Sequence, residues 1–286
     1  MSHQTSHYQS ASHVNLKRLP ASPIDEAFLD RLVAELDSDA VTAIVLKGSY
    51  ARGDANCYSD IDLTRFVKEL PDQSQRKLFT YREGHLISIS TRTLDEERER
   101  LTEPEQAVFV VQGLREARIL LDKDGAFSLL QQEAKAFTWE HLQSAANKYA
   151  GQILMLHTEY VHKILRGLLL HDDIALAEIT LELLLALTDA VVVQRGVLIM
   201  SGNTYFRQAQ DAVGVTSMWT HNHKLVAGIG VNSMKDASWE VRGVAVLRLY
   251  QETVKLLRPV LCPEHSSVVE ETVSIIDQVL SDEEIS

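Results

Sequence analysis

Cysteine is almost missing from this chain: Cys57 and Cys262 are the only two in 286 residues. That is too few for a disulfide framework or a cysteine zinc site, and it fits a reducing, cytoplasmic setting. Long hydrophobic runs are missing as well. The most apolar stretch, 174–200, is interrupted by Glu178, Glu182, Asp189, Gln194 and Arg195, and a spanning helix would bury each of the charged ones at a cost of roughly 2.5–3.5 kcal/mol. It reads instead as a core helix that would serve a homodimer as well as a core, and no membrane partner is expected. Basic charge is in deficit, with 28 Lys and Arg against 40 Asp and Glu for a net charge of −12, which disfavours a nucleic-acid partner. The first residues are polar and lack the apolar centre of a secretory signal, so 1–21, carrying His3, His7 and His13, is expected to be a flexible arm. Walker-type Gly-Lys-Ser/Thr loops, dinucleotide GxGxxG turns and Gly-x-Ser-x-Gly elbows are all missing.

What is there has an ordinary globular composition, 45% apolar and 24% charged, long enough for one large domain or two. Ser22-Pro23-Ile24-Asp25 has the form of a helix start, with the helix running to about Leu36. Val41 to Leu46 is a β-branched apolar run that stops at Gly48, and 60–67 alternates acid with apolar residues, so both are expected to be strands. The runs 79–82 and 85–91 flank Glu83-Gly84 as a hairpin, followed by helices at 95–101 and 104–114, a last strand at 117–121 and a helix after Asp124-Gly125. From Trp139 the period is helical, over 139–166, 173–199, 238–258 and 265–281, with connections or short helices through 201–235. The expected class is α+β: a mixed-sheet domain over 22–137 and an all-α helical bundle over 138–286.

The chemistry concentrates between Gly48 and Leu63. Gly48 and Ser49 end a buried strand, where a turn presents backbone N–H groups and Ser49 Oγ to phosphate oxygens. Asp60 and Asp62, two apart on a strand, point the same way. Two converging carboxylates repel each other unless a hard cation lies between them, and oxygen-only donors suit Mg²⁺ or Mn²⁺. A phosphate grip beside a metal-binding acid pair implies phosphoryl-type chemistry.

This run resembles the signature of the nucleotidyltransferase superfamily related to DNA polymerase beta, with Gly48, Ser49, Gly53, Asp60 and Asp62 at the family's spacing in a strand, turn, strand context. It is similar to minimal nucleotidyltransferases and to antibiotic nucleotidyltransferases of the kanamycin, streptomycin and lincosamide type. The resemblance covers about 25–135, and the helical half matches only in general layout. It implies that Gly48 and Ser49 hold the triphosphate of ATP or another NTP, with Arg52 a further candidate in the same turn. It also implies that Asp60 and Asp62 are catalytic and bind the metals. The expected reaction moves a nucleoside monophosphate, AMP from Mg·ATP, to a hydroxyl of a small molecule.

Family members usually supply a third carboxylate from a neighbouring strand, whereas here that strand offers Ser88 and Ser90. Glu83, Asp95 and Glu96 flank it, and Glu178, Glu182 or Asp189 of the helical half are further candidates. The departure motivates a second reading, a nucleotide-binding regulatory or antitoxin-like protein with a degenerate centre.

Other features read as structural. Lys47 and Arg65 are expected at the surface, His221-Asn222-His223 in an exposed loop or helix start, and His157 and His162 partly buried in the bundle. Trp139, Trp219 and Trp239 fit a core better than an acceptor pocket. Arg115, Arg118 and the mixed-charge run from Glu96 to Arg100 suggest solvated helix surfaces.

Overall fold

The computed structural model describes residues 24–230 and 238–281. The expected arm at 1–21, Ser22, Pro23 and Asn232 lie outside the described residues. The first described helix, α1 (Glu26–Leu36), is capped by Asp25, whose side chain accepts a 2.7 Å hydrogen bond from the Phe28 N–H. Asp25, expected in the first turn, is itself the cap, because its carboxylate satisfies an N–H that has no partner within the helix.

Strands β1 (Val41–Lys47), β2 (Ile61–Val67), β3 (Lys77–Arg82), β4 (His85–Arg92) and β5 (Arg118–Asp122) form one sheet in the order β3-β4-β2-β1-β5. The β2/β4 pair is parallel and the other pairs are antiparallel, giving a mixed sheet. Period-two alternation sorts the side chains. One face sets Leu46, Ile61, Leu63, Ile87 and Ile89 against Phe28, Leu29 and Leu32 of α1. The opposite face has an apolar zone, where Ala43, Val45 and Phe66 pack under α4 (Pro104–Arg115) and α5 (Ala126–Ala136). It also has a polar zone carrying Lys47, Asp62, Ser88 and Ser90, which share this face by register.

The second half is helical: α6 (Gln143–Leu156), α7 (Thr158–Leu170), α8 (Asp173–Gln194), α9 (Tyr205–Val213), α10 (Met218–Val226), α11 (Trp239–Leu257) and α12 (Pro263–Ser281). The stretch expected as one helix over 139–166 breaks at His157, which leaves helical geometry at φ −90° and ψ 8°. The apolar α8 is the centre of the bundle, burying Leu183, Leu187 and Val191 among its neighbours, at roughly 1.5–3 kcal/mol for each large side chain. No described helix is long and apolar enough to cross a membrane.

The two halves meet through residues far apart in sequence. Trp139 packs against both cores, the Ile199 N–H donates to the Val108 carbonyl at 2.7 Å, and Arg52 Nη1 donates to the Met200 carbonyl at 3.2 Å. Gly196 sits at φ +61°, where a Cβ would come within 2.3 Å of the Trp139 ring, so only glycine admits this packing.

Candidate active site

A one-turn helix, α2 (Gly48–Arg52), follows β1 where a simple turn was expected. Gly48 adopts φ +68°, and a Cβ on it would stand 2.6 Å from Asp62 Oδ2. The glycine therefore serves twice, opening a left-handed turn and making room for a carboxylate against the backbone. Asp62 follows the first residue of β2, opposite Lys47 of β1 and Ser88 of β4. Burial and the neighbouring charge of Asp60 push the Asp62 carboxyl up, while a hydrogen bond from Ser88 and the ammonium groups of Lys77 and Lys47 pull it down.

Gly48, Asp60 and Asp62 line a cleft of about 910 Å³ between the halves. Its near wall includes Gly48, Ser49, Arg52, Asp60 and Asp62, so the structure brings these five together, whereas the motif's Gly53 ends α2 outside the lining at φ +82°. The far wall comes from 200–208, a segment no motif marked. There Gln208 anchors the loop, accepting from Met200 N at 2.9 Å and donating to the Ser201 carbonyl at 3.1 Å. Arg207 presents an exposed guanidinium to the cleft and has no ion-pair partner among the described residues. Arg52 is the more constrained cation, held by Asp54 at 3.2 Å and by the Met200 carbonyl.

None of the candidate third carboxylates lines the cleft. Glu83 pairs with Arg31 at 2.7 Å, Asp95 with Arg98 at 3.0 Å and Glu96 with Arg76 at 3.2 Å. Glu178 and Glu182 are exposed on α8. Asp189 lies beside the cleft, but Tyr149 OH donates to one of its oxygens at 2.5 Å and Tyr205 OH to the other at 3.3 Å. Burial first, and then this carboxylate, push both phenols up.

The polar zone holds instead a lysine that sequence reasoning passed over. Lys77 Nζ donates to Ser88 Oγ at 2.5 Å and to Ser90 Oγ at 3.1 Å, placing an ammonium where an acid was sought. Lys77 sits opposite Ser90 and Phe79 opposite Ser88, so the alternation Lys77, Phe79, Tyr81 faces the same side as Asp62. Starting that strand at Phe79 hid the signal.

Lys47 is not a free surface cation. It donates to Glu97 at 2.8 Å, and Glu97, only 1% exposed, also pairs with Arg100 at 2.8 Å and Arg92 at 3.5 Å. Burial alone would raise the Glu97 carboxyl, but these three cations outweigh it and hold it down to about 2. The mixed-charge run expected to be solvated thus contributes a buried acid that neutralises the base of the site. Arg65 is half-buried and donates to Thr91 Oγ1 at 3.1 Å. Arg115 is also bound inward, to the carbonyls of Ala134 and Phe137.

The aromatic and histidine candidates lie outside the cleft. Trp219 is buried and donates to Thr253 Oγ1 at 2.9 Å, while Trp239 packs at the α11 start under Arg242. His157 is partly buried as expected and His162 is exposed. His221 is exposed on α10, but His223 is fully buried, which corrects the exposed placement of that trio.

Residues 29–110 match the family model for a nucleotidyltransferase domain. Among solved structures, eleven chains match. One is a nucleotidyltransferase-like protein from Exiguobacterium sibiricum 255-15, 12% identical, with a TM-score of 0.45, covering 81% of this chain and 76% of that one. A search of curated proteins found no match.

Proposed function

We propose, from the premise of a nucleotidyltransferase domain at residues 29–110, that this chain transfers a nucleoside monophosphate, AMP from ATP, to a hydroxyl of a small acceptor. The observation that carries the reading is the Asp60 and Asp62 pair beside Gly48 and Ser49 on one wall of the cleft.

The α2 N–H groups and Ser49 Oγ bind the triphosphate, and Arg207 adds positive charge from the opposite wall. Asp60 and Asp62 would hold Mg²⁺ or Mn²⁺. The donor set fits: both donors are oxygens, their mutual repulsion is already felt by Asp62, and the space beside Gly48 admits the carboxylate. When bound, the cation offsets charge on the phosphate oxygens and eases deprotonation of the acceptor. The acceptor lies against 200–208, its oxygen bonds to the α-phosphorus, and the bond to the bridging oxygen breaks with its electron pair leaving on pyrophosphate. The hydroxyl proton passes to solvent. A net charge of −12 favours a neutral or cationic acceptor. The scarce cysteine suits a cytoplasmic location, and the exposed Leu181 and Leu185 of α8 suit a homodimer.

Asp60→Asn is expected to abolish pyrophosphate release from Mg·ATP across a panel of aminoglycosides, lincosamides and sugars, with the circular-dichroism spectrum unchanged. Full activity in that variant overturns the assignment.

A second reading has its own observation. The Lys77 ammonium on Ser88 and Ser90 favours a nucleotide-binding regulatory or antitoxin-like protein whose centre has lost turnover. Tight Mg·ATP binding without pyrophosphate release in the presence of any acceptor of the panel selects it.

A further inference from the structure

A second cluster of ligand-type side chains lies outside the cleft, where α12 begins. Cys262 Sγ, the Glu264 carboxylate and a ring nitrogen of His265 all lie within 4.8 Å of one another. The local backbone sets this up. The Cys262 carbonyl accepts from the His265 N–H at 3.0 Å and from the Ser266 N–H at 3.1 Å, so Cys262 caps the helix and Pro263 fixes its first turn. The Cys262 thiol then meets His265 Nδ1 at 3.0 Å, and Glu264 is exposed beside them.

A second feature comes from α6. Gly151 faces the imidazole without a side chain, and a Cβ there would stand 3.1 Å from His265 Nδ1 and 3.4 Å from Leu261. Room is therefore kept at the nitrogen atom that points toward the sulfur.

We propose that Cys262, Glu264 and His265 form a site for a thiophilic divalent cation, Zn²⁺, separate from the Asp60 and Asp62 pair. Thiolate, imidazole and carboxylate are donors that zinc accepts together, whereas Mg²⁺ takes oxygen alone. Bond lengths of about 2.3 Å to sulfur and about 2.0–2.2 Å to nitrogen and oxygen give tetrahedral edges of roughly 3.4–3.6 Å. The thiol–imidazole contact needs to open by only about half an ångström from its hydrogen-bonded length, and the exposed Glu264 side chain closes the third edge by rotation. Binding releases one proton, that of the thiol. Cation, thiolate, carboxylate and neutral imidazole then sum to no net charge, leaving the fourth position to water. The ion closes the first turn of the last helix, with all three donors drawn from 262–265.

Cobalt(II) is the probe. Titrated into the full chain, one equivalent is expected to produce a thiolate-to-cobalt charge-transfer band in the near ultraviolet, and Zn²⁺ should displace it. The band should vanish in Cys262→Ser, persist in Cys57→Ser and persist in the Asp60→Asn/Asp62→Asn double variant. Glu264→Gln, a surface change that leaves the helix cap intact, should weaken binding by roughly tenfold. The N-terminal histidines cannot produce a sulfur band. Absence of the band at stoichiometric Co²⁺, or its loss in Cys57→Ser rather than Cys262→Ser, overturns the proposal.

Discussion

At Gly48 a single hydrogen decides whether the acid pair can sit where it does, since any Cβ would overlap Asp62 Oδ2. The opposing influence on that carboxylate is Lys77, whose ammonium is held by two serines on the same sheet face. A fixed cation near a carboxylate pair competes with any metal that the pair would bind, by an amount that water screens but does not remove at a partly buried site. Replacing it by Lys77→Met keeps an unbranched apolar stem and deletes the charge, which lies 5.1 Å from the Phe79 ring centroid. Mn²⁺ affinity, followed by electron paramagnetic resonance, is expected to tighten by roughly threefold to tenfold in this variant. An unchanged or weaker affinity would mean that Lys77 does not act on the pair.

Among the elements, α10 is the one whose sequence misleads most, because its two histidines suggest exposure or a metal. His223 is buried between Phe206 and the stacked Trp219, and its ring nitrogens meet Thr188 Oγ1 and Gln210 Nε2, each at 3.0 Å. Thr188 spends its own proton on the Leu184 carbonyl, so it accepts from His223 Nε2–H while Gln210 donates to Nδ1. Both nitrogens are satisfied in the neutral ring, no charged group among the described residues touches it, and burial lowers its pKa to about 4. The unfolded chain, with an ordinary value near 6.5, binds that proton first on acidification. The stability this ring contributes is therefore complete above about pH 6.5 and is lost as pH falls toward 4, by about 3 kcal/mol. Urea titrations at a series of pH values should show this slope in the wild type and a flatter one in His223→Leu. Equal slopes would show that the ring takes up its proton as readily in the folded state as in the unfolded one, which overturns the burial effect.

Strands and long helices were legible because burial imposes periods of two and 3.6 on their side chains, and the motif was legible because Gly48, Ser49, Asp60 and Asp62 are local in sequence. Glu97 was not, since a run alternating Glu and Arg looks solvated until Lys47 arrives from a distant strand. Nor were Arg207 and Gln208, which reach the cleft only because the chain returns from α8.

At the scale of the whole molecule, the cleft exists only if the two halves hold a fixed relation, and few contacts set it. Val108 belongs to α4, yet it packs in the helical core and accepts the Ile199 N–H. Trp139 spans both cores and closes on the bare backbone of Gly196. Contacts of this kind make separate unfolding costly, because opening one half exposes apolar surface of the other. Urea transitions followed by tryptophan fluorescence, by far-ultraviolet circular dichroism and by nucleotide binding should therefore coincide. Gly196→Ala brings a methyl group onto the indole and a side chain into the left-handed region, for an expected loss of roughly 2–5 kcal/mol. Because the change falls at the joint, it should destabilise the fold as a unit or separate the probes, with nucleotide binding lost at the lower urea concentration. A stability equal to the wild type would mean that Trp139 does not fasten the halves, and the 200–208 wall would then need another anchor, of which Arg52 on the Met200 carbonyl is the nearest.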